Sequence, residues 1–383
     1  MKHEVIVVGG GIIGCTIAYF LAQAGAEVAV MERDHVGAHA SSAAAGMLGA
    51  QVEMSFPGPM VDLCLASRRM FPELQHELWE QTGVDVELNR AGMLRLAWDE
   101  EEKKRLQERG QWQQRQGECA HWCEGDALWR DEPELSRAVK GALSLPLDVQ
   151  LHAPRWLKAM ELRARQLGVQ FYSGMEVQAL LMRKGSVSGV ETALGSFEAN
   201  QVVLAAGAWS AALARTAGVK VPIVPVKGES LALQVPVPLF NKTYFSKGCY
   251  LVPKAEQQVI VGATEIHHTF TRGVSAEAIQ LLLSEAIRLV PALKESTFLR
   301  SWSSIRPGSS DRMPFLGPVT EVGNLYLACG HFRNGILLSP ITGKWIAEAM
   351  MGKKNPVLSS FSLDRLGVDT GADRREVVKY DSN

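Results

Sequence analysis

Short unbroken apolar runs alternate along this chain with longer stretches in which apolar residues recur every third or fourth position. The first run, Val5-Ile6-Val7-Val8, leads into Gly9-Gly10-Gly11-Ile12-Ile13-Gly14 and a small-residue helical pattern. A second run, Val28-Ala29-Val30-Met31, closes on Glu32. Unbroken apolar runs of this length suit strands buried on both faces. Strand, glycine turn, helix, strand and acid, in that order, form the β-α-β unit that holds a dinucleotide. Gly9 permits the turn, Gly11 leaves bare backbone for a pyrophosphate, and Gly14 lets the helix approach the sheet. The helix N-terminus offers unpaired N–H groups to phosphates. Glu32, eighteen residues after Gly14, stands where a carboxylate accepts ribose hydroxyls.

After Glu32 the small-residue run 37–47 follows, with Ala40, Ser41, Ser42, Ala45, Gly46 and Met47. Small side chains let backbone pass close to something flat or bulky; a helix start capped by Ser41 or Ser42 accounts for the run equally well. Residues 59–82 place Leu63, Ala66, Met70, Leu74 and Leu78 on one helical face, and Gly83 is a stop signal. Residues 84–88 and 92–97 alternate and read as paired strands. The charged run 99–105 puts acids before bases, which suits a solvated helix. Residues 113–148 give no clear period. A helix follows over 153–167, then a short strand over 169–172, with Val177 in the next strand.

The run 201–204 reads as a buried strand ending at Ala205-Ala206-Gly207-Ala208-Trp209, with a helix from Ser210. That edge suits closure over a cofactor, although an ordinary strand-to-helix connection has the same pattern. Between 221 and 316 strand patterns dominate (229–234, 249–253 and 259–263), interrupted by one helix over 276–290. The last strand, 325–329, breaks at Gly330-His331-Phe332-Arg333-Asn334-Gly335, and a helix runs from Ile336 to Met350. The end of the chain is polar and reads as a loose tail.

Composition narrows the classes. With 383 residues the chain can bury a large core or two domains sharing an interface. A net charge of −1 supplies no basic field for nucleic acid or an anionic membrane. No run has the eighteen apolar residues of a membrane helix. Lys2, the first apolar run and Ala22-Gln23-Ala24 imitate a secretory signal, but cleavage there would destroy the nucleotide unit. The segment therefore reads as mature protein and the location as cytoplasmic. Six scattered cysteines read as reduced, mostly buried thiols, and neither Cys119/Cys123 nor His267-His268 has partners at metal spacing, so no metal is expected.

The combination GGGIIG with Glu32, SSAAAGM, VVLAAGAWS, PVKGES, CYLVPK, IRPGSSDRMPFLG and GHFRNGILLSP resembles the FAD-dependent D-amino acid oxidase superfamily. Within it the chain is most similar to the glycine oxidases of the thiamine pathway. The resemblance runs from about residue 4 to about residue 350. It decides for FAD, which the nucleotide motif alone does not distinguish from NAD.

The resemblance implies an α/β fold. A discontinuous Rossmann-like FAD domain (1–82, 147–218 and 322–366) carries a mixed, largely antiparallel substrate domain (83–146 and 219–321), and 367–383 form the tail. It implies that Gly9, Gly11, Ile12, Ile13, Gly14, Glu32 and Arg33 surround the ADP half, with Val177 at the adenine. Ala40, Ser41, Ser42, Ala45, Gly46 and Met47 would line the pyrophosphate and flavin. Ala206, Gly207 and Trp209, and the turn Gly330, His331, Phe332, Arg333, Asn334, Gly335, Ile336 and Leu337, would complete the site. Arg306 would bind a substrate carboxylate, Tyr250 and Arg333 would flank the substrate, and Glu265 stands where relatives often carry a small or apolar residue. Arginine suits a carboxylate in an apolar pocket because it is planar, bidentate and always charged; a surface ion pair is the alternative role for Arg306.

No cysteine lies in Ser303-Ser304-Ile305, where related sarcosine oxidases tether their flavin, so the FAD is expected to be non-covalent. The expected reaction is oxidative deamination of glycine, small amines and D-amino acids with dioxygen, by a homotetramer, without acid-base residues. A dehydrogenase passing electrons to a carrier is the neighbouring reading.

Overall fold

The structure is a computed structural model and describes residues 2–366; the polar tail expected over 367–383 lies outside the described residues. Two large sheets dominate. The first has eight strands, with Phe315–Pro318, Leu325–Cys329, Gly195–Leu204, Lys2–Val8, Val28–Glu32 and Gln170–Ser173 side by side. Its centre is parallel: Val5 to Val8 pair with Gln201 to Leu204 on one side and Val28 to Met31 on the other. Val5 and Val7 enter one core while Ile6 and Val8 enter another, which explains the unbroken apolar run.

One face of this sheet is covered by the helices Ile12–Gln23, Pro59–Thr82, Ala153–Gln166 and Gly335–Met350, which contribute Ile17, Leu63, Trp156 and Leu338 to a shared core. Close packing there depends on glycine: a Cβ on Gly14 would collide with the Gly9 carbonyl oxygen. Val177, Leu180, Val190 and Phe197, from an antiparallel meander, fill the other face.

The second sheet has nine strands and is mixed. Ile223–Gln234 pairs antiparallel with Gln258–Gly262 on one edge and with the thirteen-residue strand Thr297–Ser309 on the other. Thr243–Ser246 joins Met93–Ala97 in parallel, which brings Gly141–Leu145 and His121–Cys123 into the same sheet. The helix Ala276–Leu289 packs Leu282, Ala286 and Leu289 against Leu231, Leu251 and Val261.

Several elements match their sequence signals. Pro59 opens the long helix, and Gly83, at φ 67°, closes it with its N–H on the Trp79 carbonyl. The paired strand expected over 84–88 does not form. Asp85 accepts a hydrogen bond from the Glu87 N–H, and Glu87 takes φ 53°, so the chain turns where the alternation suggests extension. Residues 113–148 hold the end of the helix Glu100–Arg115, the helix Gly125–Asp131 and two strands, each too short for a periodic signal. The strand carrying Arg306 also runs through Pro307 rather than stopping before it. Pro is tolerated there because Thr297–Ser309 is an edge strand.

Candidate active site

Three neighbouring parallel strands end at one edge of the first sheet, at Val8, Leu204 and Cys329. Each feeds a glycine-containing turn, and the turns open on a cavity of about 550 Å³ that reaches the second sheet. The nucleotide wall holds Gly9, Gly11, Ile12, Ile13, Glu32, Arg33, Ala40, Ser41, Ala45, Gly46, Met47 and Val177. Ala206, Gly207 and Trp209 line it, as do His331, Phe332, Arg333, Asn334, Gly335 and Ile336. Arg306 and Tyr250 enter from the second sheet.

Four residues expected at the cofactor stand outside the lining. Gly14 is spent on helix-sheet packing, Ser42 lies near Gly37, and Gly330 makes the turn at φ 81°. Leu337 is buried in the helical core, where its carbonyl accepts the Ser67 hydroxyl at 2.6 Å. Glu265 also stands outside the lining but reaches Arg333. Neither serine caps the short helix Ala40–Ala43. Instead the Ser41 Oγ accepts from the Ile12 N–H at 2.9 Å and so caps the first nucleotide helix across 29 residues.

At the adenosine end the Glu32 carboxylate accepts from the Gly10 N–H at 2.7 Å and the Asp34 N–H at 2.9 Å, which fixes it at the strand end. Arg33 lies over the Trp209 ring at 4.7 Å, and Phe270 meets the same ring at 5.6 Å. His331 lines the cavity but turns its Nε2 to the Thr342 hydroxyl at 3.1 Å. Burial drives its pKa down to about 3, so the imidazole is neutral.

The substrate end is built around three arginines. Arg306 is half-buried and lies against Gly228, where a Cβ would collide with the guanidinium. Its Nη1 donates to the Thr264 carbonyl at 3.1 Å, and among the described residues it makes no ion pair. Burial pulls its pKa below the ordinary range and Arg333 adds to the shift, while Tyr250, Glu265 and Glu53 oppose it. A partly desolvated cation whose one direct partner is a neutral carbonyl has room for an anion. Thr264 is itself fixed. Its hydroxyl donates to Glu229 Oε2 at 3.0 Å, and that fully buried carboxylate also accepts from the Ser275 N–H at 2.9 Å and pairs with Lys227 at 2.7 Å. Tyr250 crosses Gly262, its register partner on the next strand, which leaves its ring against the cavity.

Arg333 is neutralised differently. Its Nε donates to Glu53 at 2.8 Å, and its Nη1 stands 3.6 Å from Glu265. Burial works against this cation, but the Glu53 charge and hydrogen bond outweigh it and the pKa rises. Arg95 and Arg333 both lie over the Phe245 ring, at 4.5 and 5.6 Å. Glu53, Thr264, Glu229 and Gly228 are the functional residues that sequence reasoning missed. Glu53 carried one usable signal, a lone acid in the apolar stretch after Gly46.

The cavity fits a dinucleotide carrying a ring system. Bare backbone lines it at Gly9 and Gly11, an acid stands at one end, and the two helices begin at Gly11 and Asn334 without a cap from their own side chains. Fold and site together define a flavin-dependent oxidoreductase of the Rossmann-like class. Residues 4–349 match the FAD-dependent oxidoreductase family DAO, and the chain belongs to that family. It is 41% identical over 369 residues to a glycine oxidase of Geobacillus kaustophilus, covering 95% of this chain and 97% of that one. The crystal structure of a glycine oxidase from that organism superposes with a TM-score of 0.92 at 40% identity, covering 95% of this chain and 99% of that one. A bifunctional ThiO/ThiG protein of Nostoc is 37% identical; the match covers 95% of this chain and 55% of that longer protein. The cofactor of this enzyme is FAD.

Proposed function

We propose that this enzyme is a glycine oxidase, converting glycine, dioxygen and water to glyoxylate, ammonia and hydrogen peroxide, with small amines and D-amino acids as further substrates. The observation that carries the reading is Arg306, a half-buried cation facing the cavity with no ion-pair partner among the described residues. A single amino-acid carboxylate satisfies it with a bidentate pair. Tyr250 then closes one side of the bound substrate, and Arg333 with Glu53 bounds the other.

When bound, FAD supplies the hydride acceptor for the substrate Cα–H and passes the electrons on. The chain contributes position and field. Gly9, Gly11 and Ser41 form the cradle for the pyrophosphate, Glu32 takes the ribose, and Val177 offers backbone to the adenine. The N-terminus of Gly335–Met350, at the cavity, favours negative charge near the flavin ring. Most of the rate enhancement comes from positioning and electrostatics, because His331 is neutral and its Nε2 is taken by Thr342. Attachment of FAD is non-covalent: Cys329 is the lining cysteine, and burial pushes its thiol up to about 12.

In this reading the FAD domain comprises 1–82, 147–218 and 322–366, and the substrate domain 83–146 and 219–321. Similarity to glycine oxidases and to the ThiO/ThiG protein supports a role in thiamine thiazole formation; the enzyme is expected to act there as a cytoplasmic homotetramer. No helix among the described residues is long and apolar enough to cross a membrane.

The test is anaerobic titration of the FAD-loaded enzyme with free glycine, followed by admission of air. Bleaching of the flavin spectrum and then stoichiometric peroxide are the expected results. Bleaching without peroxide moves the enzyme to the dehydrogenases that use a carrier, and no bleaching by any small amine overturns the reading.

A further inference from the structure

The charges around the substrate end divide unequally. At this end two cations line the cavity, Arg306 and Arg333. Two carboxylates stand with them, and both make their direct ion pairs with Arg333, Glu53 at its Nε, 2.8 Å away, and Glu265 at its Nη1, 3.6 Å away, while acting on Arg306 only at longer range. Glu265 lies outside the cavity lining, on the segment that follows Thr264, with its side chain only 10% exposed. Its other oxygen meets the half-exposed His267 ring at 3.0 Å. Arg95, the remaining cation near Phe245, does not line the cavity. Arg333 is therefore paired before any substrate enters, while Arg306, which lines the cavity beside it, has no ion pair among the described residues.

Glu265 is held in this place by the architecture behind it. Thr264, its neighbour, is tied to Glu229 by its hydroxyl, and Ser275 ties the far end of the segment to the same carboxylate. The segment 264–275 is thus stapled at both ends to the strand Ile223–Gln234. A glutamate presented this way is a fixed countercharge rather than a wandering surface acid.

We propose that Glu265 is a specificity-determining residue. By holding Arg333 jointly with Glu53 it leaves Arg306 as the lining cation at this end without a direct ion pair, and so restricts the enzyme to substrates with one carboxylate. This rests on the amino-acid reading of the site. A substrate with a second carboxylate near the amine meets an arginine already saturated and two acids of its own sign, and like-charge contact inside a desolvated site is strongly unfavourable. A neutral residue at position 265 releases the Nη1 side of Arg333 and turns that wall into a second anion site.

The experiment compares FAD-loaded wild type, Glu265→Gln and Glu265→Asp on glycine and on iminodiacetate, a glycine bearing a second carboxymethyl group. Binding of acetate and malonate is measured alongside, from the visible flavin spectrum. In Glu265→Gln the iminodiacetate-to-glycine ratio of kcat/KM is expected to rise at least about tenfold, and malonate to gain on acetate by a similar factor. Glu265→Asp keeps the charge and stays within about twofold of wild type in both ratios. Ratios unchanged in Glu265→Gln, or efficient wild-type turnover of iminodiacetate, overturn the proposal. If wild type oxidises neither amine, the amino-acid reading falls, while the malonate-to-acetate ratio still decides the role of Glu265. Should Glu265→Gln fail to retain FAD, Glu265→Met, neutral and similar in length, carries the same expectation.

Discussion

At the scale of single residues, burial decides what each polar group does. His331 faces the cavity yet is neutral, because no countercharge offsets its desolvation. Its folded pKa, about 3, lies below the unfolded value, so between those limits the unfolded chain binds the extra proton and stability falls as pH falls. Replacing His331 with Gln removes that term. Urea unfolding should show wild type losing about 2 kcal/mol relative to the variant between pH 7 and pH 5, and parallel pH profiles would show that the ring is protonated in the fold. Arg306 depends on a second residue, Thr264, whose hydroxyl is held by Glu229. Thr264→Val keeps the volume but cuts that link. KM for glycine should rise roughly 5- to 30-fold with a smaller change in kcat, and Thr264→Ser should restore it. A Thr264→Val enzyme with altered thermal stability and unaltered KM would reduce the threonine to a structural role.

At the scale of elements, the cofactor wall was legible because its signals are local. Gly9 to Gly14, Glu32 and the run 40–47 lie within one β-α-β unit and its exit, where spacing alone dictates placement. The substrate end was legible only in part. Arg306 and Tyr250 stood out through family resemblance, but Glu53 meets Arg333 across 280 residues, and no periodicity encodes that distance. The segment 84–88 failed for the opposite reason: an alternating pattern was overruled by one Asp85 side chain and the turn it stabilises. Ser41 shows the same limit. Local reasoning assigns its hydroxyl to its own short helix, whereas the fold gives it to Ile12. Ser41→Ala should therefore destabilise the first nucleotide helix by about 1 kcal/mol and weaken FAD retention. Thermal unfolding of the apoenzyme, with FAD binding measured by fluorescence, separates the two effects; a change in neither places the cap elsewhere.

At the scale of the whole molecule, two sheets built on different principles share one cavity. The parallel sheet delivers three chain turns and two helix N-termini to that cavity. The mixed sheet delivers side chains, with Tyr250 and Arg306 on strands whose paired neighbours carry the glycines, Gly262 and Gly228, that make room for them. One wall of the cavity is thus built mostly from backbone and the other mostly from charged and aromatic side chains. The central claim is that the unpaired guanidinium of Arg306 holds the substrate carboxylate beside FAD. The most direct test is steady-state oxidation of glycine by the FAD-loaded Arg306→Leu enzyme. Loss of a buried ion-pair partner is worth about 3–5 kcal/mol, so kcat/KM should fall by roughly 10²–10³ or more. A fall of less than about fivefold would contradict the account and remove Arg306 from the carboxylate site.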